Sequence, residues 1–272
     1  MIVGIRAHDL IKGSIDEVLQ SAESEGFEAV QLVFKKALIN QPFNKENVNI
    51  VKESLSKHNI KVAMLGAYFN PVHSNKELVK SNIEYFKEHL KLANELNCKY
   101  VGTETGSYND DKWTYNPKNQ TEDGYQDTMK VFHELIEVAN EYNTTILMEP
   151  AWGHIIFDVK TLKRAFDEIN SKNFKVTIDI FNLIYLGNYK QYKEIFLEAL
   201  TTFKDDVKII HLKDFYVEDN KIIQCGLGKG IIDFKFIINA IKEHSPNATM
   251  IFEGVIGEDI KTSKALIDSL NK

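Results

Sequence analysis

Short apolar runs, polar links and longer segments of helical periodicity alternate along the whole chain. The runs at Ile2–Arg6, Ala29–Phe34, Lys61–Gly66, Tyr100–Glu104, Thr145–Glu149, Lys175–Ile180, Val207–Lys213 and Thr249–Glu253 are rich in β-branched and large apolar residues, as buried parallel strands are. Between them, Val79, Ile83, Phe86, Leu90 and Ala93 recur at spacings of three and four, which puts them on one helical face. Phe132, Leu135, Ile136 and Ala139 repeat the pattern, as do Leu162, Ala165, Phe166 and Ile169. Ser14-Ile-Asp-Glu17 and Ser74-Asn-Lys-Glu77 fit the capping box, in which a hydroxyl and a later carboxylate satisfy orphan amides at a helix start.

Eight strand–helix units with no break in composition predict one domain over residues 1–272. Parallel strands with helical crossovers need both sheet faces covered, which leaves a closed barrel or a doubly wound sheet. The doubly wound form would often carry a glycine-rich turn after its first strand, but Arg6-Ala-His-Asp9 stands there. The length of 272 residues suits a (β/α)₈ barrel, which runs to roughly 250. The expected fold is therefore a single α/β (β/α)₈ TIM barrel.

Charge and cysteines narrow the function classes. The formal net charge is −6, with Lys and Arg scattered, and a phosphate-tracking protein usually carries a basic stripe; nucleic acid is not expected. Cys98 and Cys225 form no spaced metal motif and read as reduced packing thiols. The start, MIVGIRAHDL, lacks the apolar stretch of a signal peptide, and no segment approaches the ~20 apolar residues of a membrane span, so a cytoplasmic protein is expected.

The chemistry lies at the strand ends. Barrel enzymes build their sites on the C-terminal face, and here the later strands end in ionisable residues: Glu104, Glu149, Asp179, His211 and Glu253. By strand parity Leu147 and Glu149 share a face, as do Thr177 and Asp179, Ile209 and His211, and Ile251 and Glu253. With those faces inward, Glu149, Asp179, His211 and Glu253 converge at one mouth. Alone, a strand-end carboxylate caps a helix or pairs with a lysine. Four polar groups at equivalent depth in an apolar setting need compensation. One divalent cation would supply it, and three carboxylates with one imidazole suit Mn²⁺, Mg²⁺, Co²⁺ or Zn²⁺.

At these residues the sequence resembles the xylose-isomerase-like TIM-barrel superfamily, especially its sugar phosphate isomerase/epimerase group. The likeness rests on Met148-Glu149-Pro150, Ile178-Asp179, Ile210-His211-Leu-Lys-Asp214, Gly226-Leu-Gly-Lys-Gly-Ile-Ile-Asp-Phe234 and Phe252-Glu253-Gly254, taken in order. It implies a metal-dependent isomerase or epimerase of a sugar or sugar-like substrate, phosphorylated or not. Glu149, Asp179, His211 and Glu253 would hold the metal. Glu149 and Glu253 would be the catalytic proton carriers, working through a metal-stabilised enediolate. Many relatives have histidine three residues after the sixth-strand aspartate; Asn182 stands there, able to hydrogen-bond a hydroxyl but not to shuttle a proton.

Further candidate substrate contacts are His8, Glu104, Trp152, His154 and Lys229. All but His154 have another reading: a loop histidine for His8, a base or a partner orienting another ligand for Glu104, loop packing for Trp152 and, for Lys229, a turn shaped by Gly228 and Gly230 before Asp233 caps a helix. His73 and Trp113 lie on long loops placed to cover the site. Three other functions fit the same residues. They are an inosose-type dehydratase, an apurinic-site endonuclease IV-like hydrolase, and a non-catalytic sugar- or metal-binding barrel. Exposed barrel helices also leave room for pairing into a homo-oligomer.

Overall fold

In the computed structural model, which describes residues 1–272, the eight apolar runs close into one parallel barrel. The strands are β1 (Val3–Arg6), β2 (Ala29–Leu32), β3 (Lys61–Gly66), β4 (Tyr100–Thr103), β5 (Thr145–Met148), β6 (Phe174–Asp179), β7 (Val207–Leu212) and, as the eighth stave, β10 (Thr249–Phe252). Their order round the barrel is β1-β10-β7-β6-β5-β4-β3-β2. Between β7 and β10 the chain makes an antiparallel hairpin, β8 (Asp214–Glu218) with β9 (Lys221–Cys225), which the periodicity did not reveal.

Two side-chain layers fill the barrel near its C-terminal end. Met64, Leu147, Ile209 and Ile251 form a dry cluster separate from the main core between strands and helices. A Cβ on Gly102 would collide with the Met64 sulfur, and one on Gly4 would sit 2.8 Å from the Ile251 side chain, so both glycines make room for this layer. Two residues further, at the C-terminal ends of β5, β6, β7 and β10, lie Glu149, Asp179, His211 and Glu253. The register sets Asp179 opposite His211 and Ile251 opposite His211.

The outer helices bury the faces the pattern assigned. Val79, Ile83, Phe86 and Leu90 are buried on the helix Lys76–Leu92, and Leu162, Ala165 and Ile169 on Val159–Ile169. Ala93 falls in the 3₁₀ turn that follows the first of these. Ser14 and Glu17 make the capping box. The second expected box does not form. Asn75 is the cap there, accepting from the Leu78 amide, while Ser74 bonds Asp110 across the loops. Cys98 and Cys225 are free thiols. No helix is long and apolar enough to cross a membrane.

Candidate metal centre and pocket

Short helical turns directly after β1, β2 and β6 aim polar side chains back over the barrel mouth: Ala7–Leu10, Phe34–Ala37 and Ile180–Leu183. Buried residues such as Ala7, Phe34, Ala37, Ile180 and Leu183 fix each turn to the body. His8, Asp9, Lys35, Lys36 and Asn182 stand on these turns.

At the centre, one donor atom from each of Glu149, Asp179, His211 and Glu253 lies within 4.8 Å of all the others. His211 Nδ1 faces the acids, 2.8 Å from Glu253 Oε2, 3.2 Å from Glu149 Oε1 and 3.9 Å from Asp179 Oδ2. Its Nε2 is 2.7 Å from Gln31 Oε1, and the Gln31 amide nitrogen in turn donates to the Tyr68 hydroxyl at 2.8 Å. With Gln31 Oε1 as acceptor, Nε2 keeps its proton, which leaves Nδ1 as the ring atom that would meet a cation.

Each acid also has a basic or amide neighbour. Asn182 Nδ2 donates to Glu149 Oε1 at 2.7 Å. Lys213 Nζ lies 2.8 Å from Asp179 Oδ2 and 3.0 Å from Glu253 Oε1, and donates to Asn182 Oδ1 at 3.2 Å. Arg6 grips Asp9 through two nitrogens and donates to Glu253 Oε1 at 2.6 Å.

The electrostatics follow from crowding like charges in a dry site. Burial pushes the Asp179 carboxyl up to about 6 against the pull of Lys213. Burial alone would lower the His211 imidazole, but Glu149 and Glu253 override it and lift the ring to about 10. Burial opposes ionisation of Glu253 as well, yet Lys213 and His211 hold its carboxyl well below the usual range. Glu104, at the pocket wall, is raised to about 8 by burial and then by the charges of Glu149 and Glu253.

The residues fit a divalent cation. Asp179 Oδ2 and Glu253 Oε2 are buried without a well-formed hydrogen bond, although both face the cluster. Oxygen-rich donors with one imidazole match Mn²⁺, Mg²⁺, Co²⁺ or Zn²⁺, and a cation would take the place of the proton on Nδ1.

A pocket of about 280 Å³ opens above the centre, lined by Arg6, His8, Lys35, Lys36, Tyr68, Glu104, Trp113, Glu149 and Glu253. Of the candidate substrate contacts, His8 and Glu104 are in this wall. Asn182 spends its amide on Glu149 and Lys213. His154 is buried beneath the loop over the site, its Nε2 3.2 Å from the Trp113 carbonyl and its ring edge-on to the Trp113 indole.

Two further candidates, Trp152 and Lys229, are not in this wall. Trp152 offers no free face to a sugar, because its indole is sandwiched between Tyr115 and Tyr185, with centroids 4.9 and 4.3 Å away. Lys229 is tied to Asp259 at 2.5 Å in an exposed ion pair outside the pocket. The turn it occupies is shaped by its neighbours. Buried Asp214 accepts from the amides of Gly228, Gly230 and Ile232, and a Cβ on Gly230 would strike the Phe215 carbonyl. Asp233 caps the next helix by accepting from the Phe236 amide. His73 accepts from the Asn75 amide and its Nε2 lies 3.4 Å from Asp111 on the loop after β4, while Trp113 lines the pocket, held in the left-handed backbone region at φ 49°.

Gln31, Tyr68, Lys213, Arg6, Lys35 and Lys36 were not singled out from the sequence. For Arg6, Lys35, Lys36 and Lys213 the available signal was a basic residue at a strand end. Gln31 gave a weaker one, a lone polar residue in an apolar run.

A family model described as Xylose isomerase-like TIM barrel matches residues 19–271. Comparison with curated proteins finds no match by sequence. Among solved structures, the 3-keto-D-glucoside 4-epimerase of E. coli superposes with a TM-score of 0.77 at 16% identity, covering 99% of both chains. A D-tagatose 3-epimerase-like protein gives 0.78 at 19% identity over 99% of this chain and 97% of that one. The IOLI protein with a zinc atom gives 0.77 at 18% identity over 100% and 98%. At such identities the likeness is one of fold.

Proposed function

The chain belongs to the xylose isomerase-like TIM barrel family, and we propose that it is a divalent-metal-dependent isomerase or epimerase of a small sugar-like substrate. The observation that carries this reading is the convergence of Glu149, Asp179, Glu253 and the Nδ1 of His211 within 4.8 Å at the base of a half-open pocket that Glu149 and Glu253 line. The epimerase-named solved structures that share the fold support it, and the one with a zinc atom supports a metal.

A bound divalent cation would stabilise negative charge on adjacent substrate oxygens and so acidify the C–H between them. The proton work falls to Glu149 and Glu253. They enter the mouth from β5 and β10, separated in the barrel order by β6 and β7, which carry Asp179 and His211. A substrate carbon between them presents one face to each, so one glutamate would take a proton as the other returns one from the opposite side. Each has one oxygen restrained, Glu149 by Asn182 and Glu253 by Arg6 and Lys213. That restraint limits the loss of orientation a free carboxylate would suffer. Trp113 and Tyr68 wall the pocket and would keep bulk water from the reacting carbon.

Solvent-deuterium exchange tests the proposal. Protein loaded in turn with Mn²⁺, Mg²⁺, Co²⁺ and Zn²⁺ is incubated with a panel of ketoses and aldoses in D₂O. Deuterium should enter at the carbon beside the carbonyl, and this should be lost in Glu149→Gln and Glu253→Gln. A protein that stays metal-free in excess of all four ions, or binds sugar without exchange, would overturn it. Product analysis then separates epimerisation from loss of a β-hydroxyl.

A further inference from the structure

The wall of the pocket opposite the acids carries charge that a neutral sugar would not use. Lys35 and Lys36 both line it, on the turn after β2. Phe34 and Ala37 on either side are fully buried, and the Phe34 ring packs edge-on against Phe43 at 4.8 Å, so the turn is anchored while the two lysines project outward. Neither ammonium joins an ion pair within 4.0 Å; they lie over the rings of Tyr85 and Tyr68 instead, 5.7 and 5.9 Å from the centroids. His8 stands in the same wall, with Nδ1 buried and lacking a hydrogen-bond partner. Burial, with Arg6 close by, pushes its ring down to about 4, so near neutral pH it is uncharged and offers one donor and one acceptor.

From this arrangement we infer that the substrate carries an anionic oxygen group, a phosphate or a carboxylate, which Lys35 and Lys36 bind with His8 beside them while the other end lies over the Glu149–Asp179–His211–Glu253 centre. Burial and then the charge of Lys36 disfavour the Lys35 ammonium, and an anion bound beside them offsets both effects and forms charge-assisted hydrogen bonds. Arg6 does not compete for the role, since Asp9 and Glu253 occupy its guanidinium. Lys229, the other basic candidate, is paired with Asp259. The pocket holds about 280 Å³ and is half open to solvent. It is at the small end for ligand sites, which suits a monosaccharide derivative rather than a chain of sugars. The inference rests on the proposed function only for what happens at the reacting end.

The test compares binding of D-fructose, D-fructose 6-phosphate, 5-keto-D-gluconate and inorganic phosphate by calorimetry, with and without Mn²⁺. The proteins are wild type and Lys35→Ala/Lys36→Ala. At least one anionic sugar should bind wild type about tenfold or more tightly than D-fructose, as charge-assisted hydrogen bonds allow. The double variant should lose that preference while keeping its melting temperature and Mn²⁺ affinity. Preference for the phosphate or for the carboxylate identifies the anion. Equal affinity for D-fructose and both anionic sugars would overturn the inference, as would a preference that survives in the double variant. Equal loss of D-fructose and anion binding in that variant would also overturn it, showing that the lysines only offset the acidic floor. Failure of the proposed function reads out separately. A protein that binds no Mn²⁺ but prefers the anions through Lys35 and Lys36 refutes the metal chemistry and keeps the anion seat.

Discussion

His211 Nε2 sits 2.7 Å from the side-chain oxygen of Gln31, on the other side of the ring from three carboxylates. Gln31 is fully buried in β2, where the register with β3 shifts between Val30 and Gln31. Its amide thus has fixed partners in His211 and Tyr68. Partners of this kind set the tautomer and orientation of a ligating imidazole, and their loss typically lowers metal affinity about 10–100-fold. Gln31→Met should show such a loss in a Mn²⁺ titration, whereas Gln31→Glu, which keeps an acceptor, should recover part of it. Unchanged affinity in Gln31→Met would mean that the ring is oriented by the carboxylates alone.

Lys213 is the cation already inside the cluster, 2.8 Å from Asp179 and 3.0 Å from Glu253. Burial opposes its charge, but Asp179, Glu253 and Glu149 raise its pKa well above the ordinary lysine value. Removing one member of a buried charge pair costs about 3–5 kcal/mol, because the other is left uncompensated. Lys213→Met should therefore destabilise the chelator-treated protein by roughly that amount in urea unfolding. With Mn²⁺ bound, the penalty should shrink, since a second cation then serves the same acids. An equal loss with and without metal would show that Lys213 and the metal do not share partners.

Glu104 gives the metal-free protein a pH dependence of definite sign. Its folded pKa of about 8 lies above the ordinary 4.5, chiefly through burial, then through Glu149 and Glu253. Between those values the unfolded chain binds fewer protons than the folded one. Stability from this group is complete below about 4.5 and is lost as pH rises through about 8. The side chain is 20% exposed, and the slope from one proton cannot exceed about 1.4 kcal/mol per pH unit. Glu104→Gln, a mimic of the protonated acid, should flatten the fall seen by urea unfolding in chelator between pH 5 and 8. A wild-type slope that the substitution leaves unchanged would place the responsible group elsewhere.

The parts legible in the sequence obey a simple periodicity, and the parts that were not depend on chain geometry. All eight barrel strands were located within two residues at each end, because buried parallel strands are short apolar runs bounded by polar links. Parity along β5, β6, β7 and β10 sufficed to bring Glu149, Asp179, His211 and Glu253 together, since two-residue alternation fixes which side chains face inward. Loops have no such rule. That Tyr115 and Tyr185 would cover both faces of Trp152 depends on where three separate loops meet. Gln31 looked like one polar residue in an apolar run, and its partner His211 is 180 positions away. The hairpin Asp214–Cys225 was hidden because its exposed strand residues do not alternate as a core-facing strand does.

The two tryptophans offer the sharpest contrast between covering the site and packing beside it. Trp113 lines the pocket, on a loop tied down by buried Ser107 and Asn119: Asn119 Nδ2 donates to the Gly153 carbonyl at 2.6 Å and Ser107 Oγ to the Thr114 carbonyl at 2.5 Å. Its removal should open one wall while leaving that loop network in place. In Trp113→Ala the sugar concentration giving half-maximal deuterium exchange should rise, with little change in the urea midpoint. Trp152 carries the opposite expectation. Its stack with Tyr115 and Tyr185 joins the loops after β4, β5 and β6, and aromatic pairs add about 0.5–1.5 kcal/mol each beyond area burial. Trp152→Ala should therefore lower the urea midpoint, with roughly 1–3 kcal/mol of stability lost from the two stacking contacts alone. At temperatures where the variant stays folded, half-saturation should shift less than in Trp113→Ala. If Trp152→Ala instead raised half-saturation more than Trp113→Ala did, the stacked aromatics would be part of the sugar-binding surface.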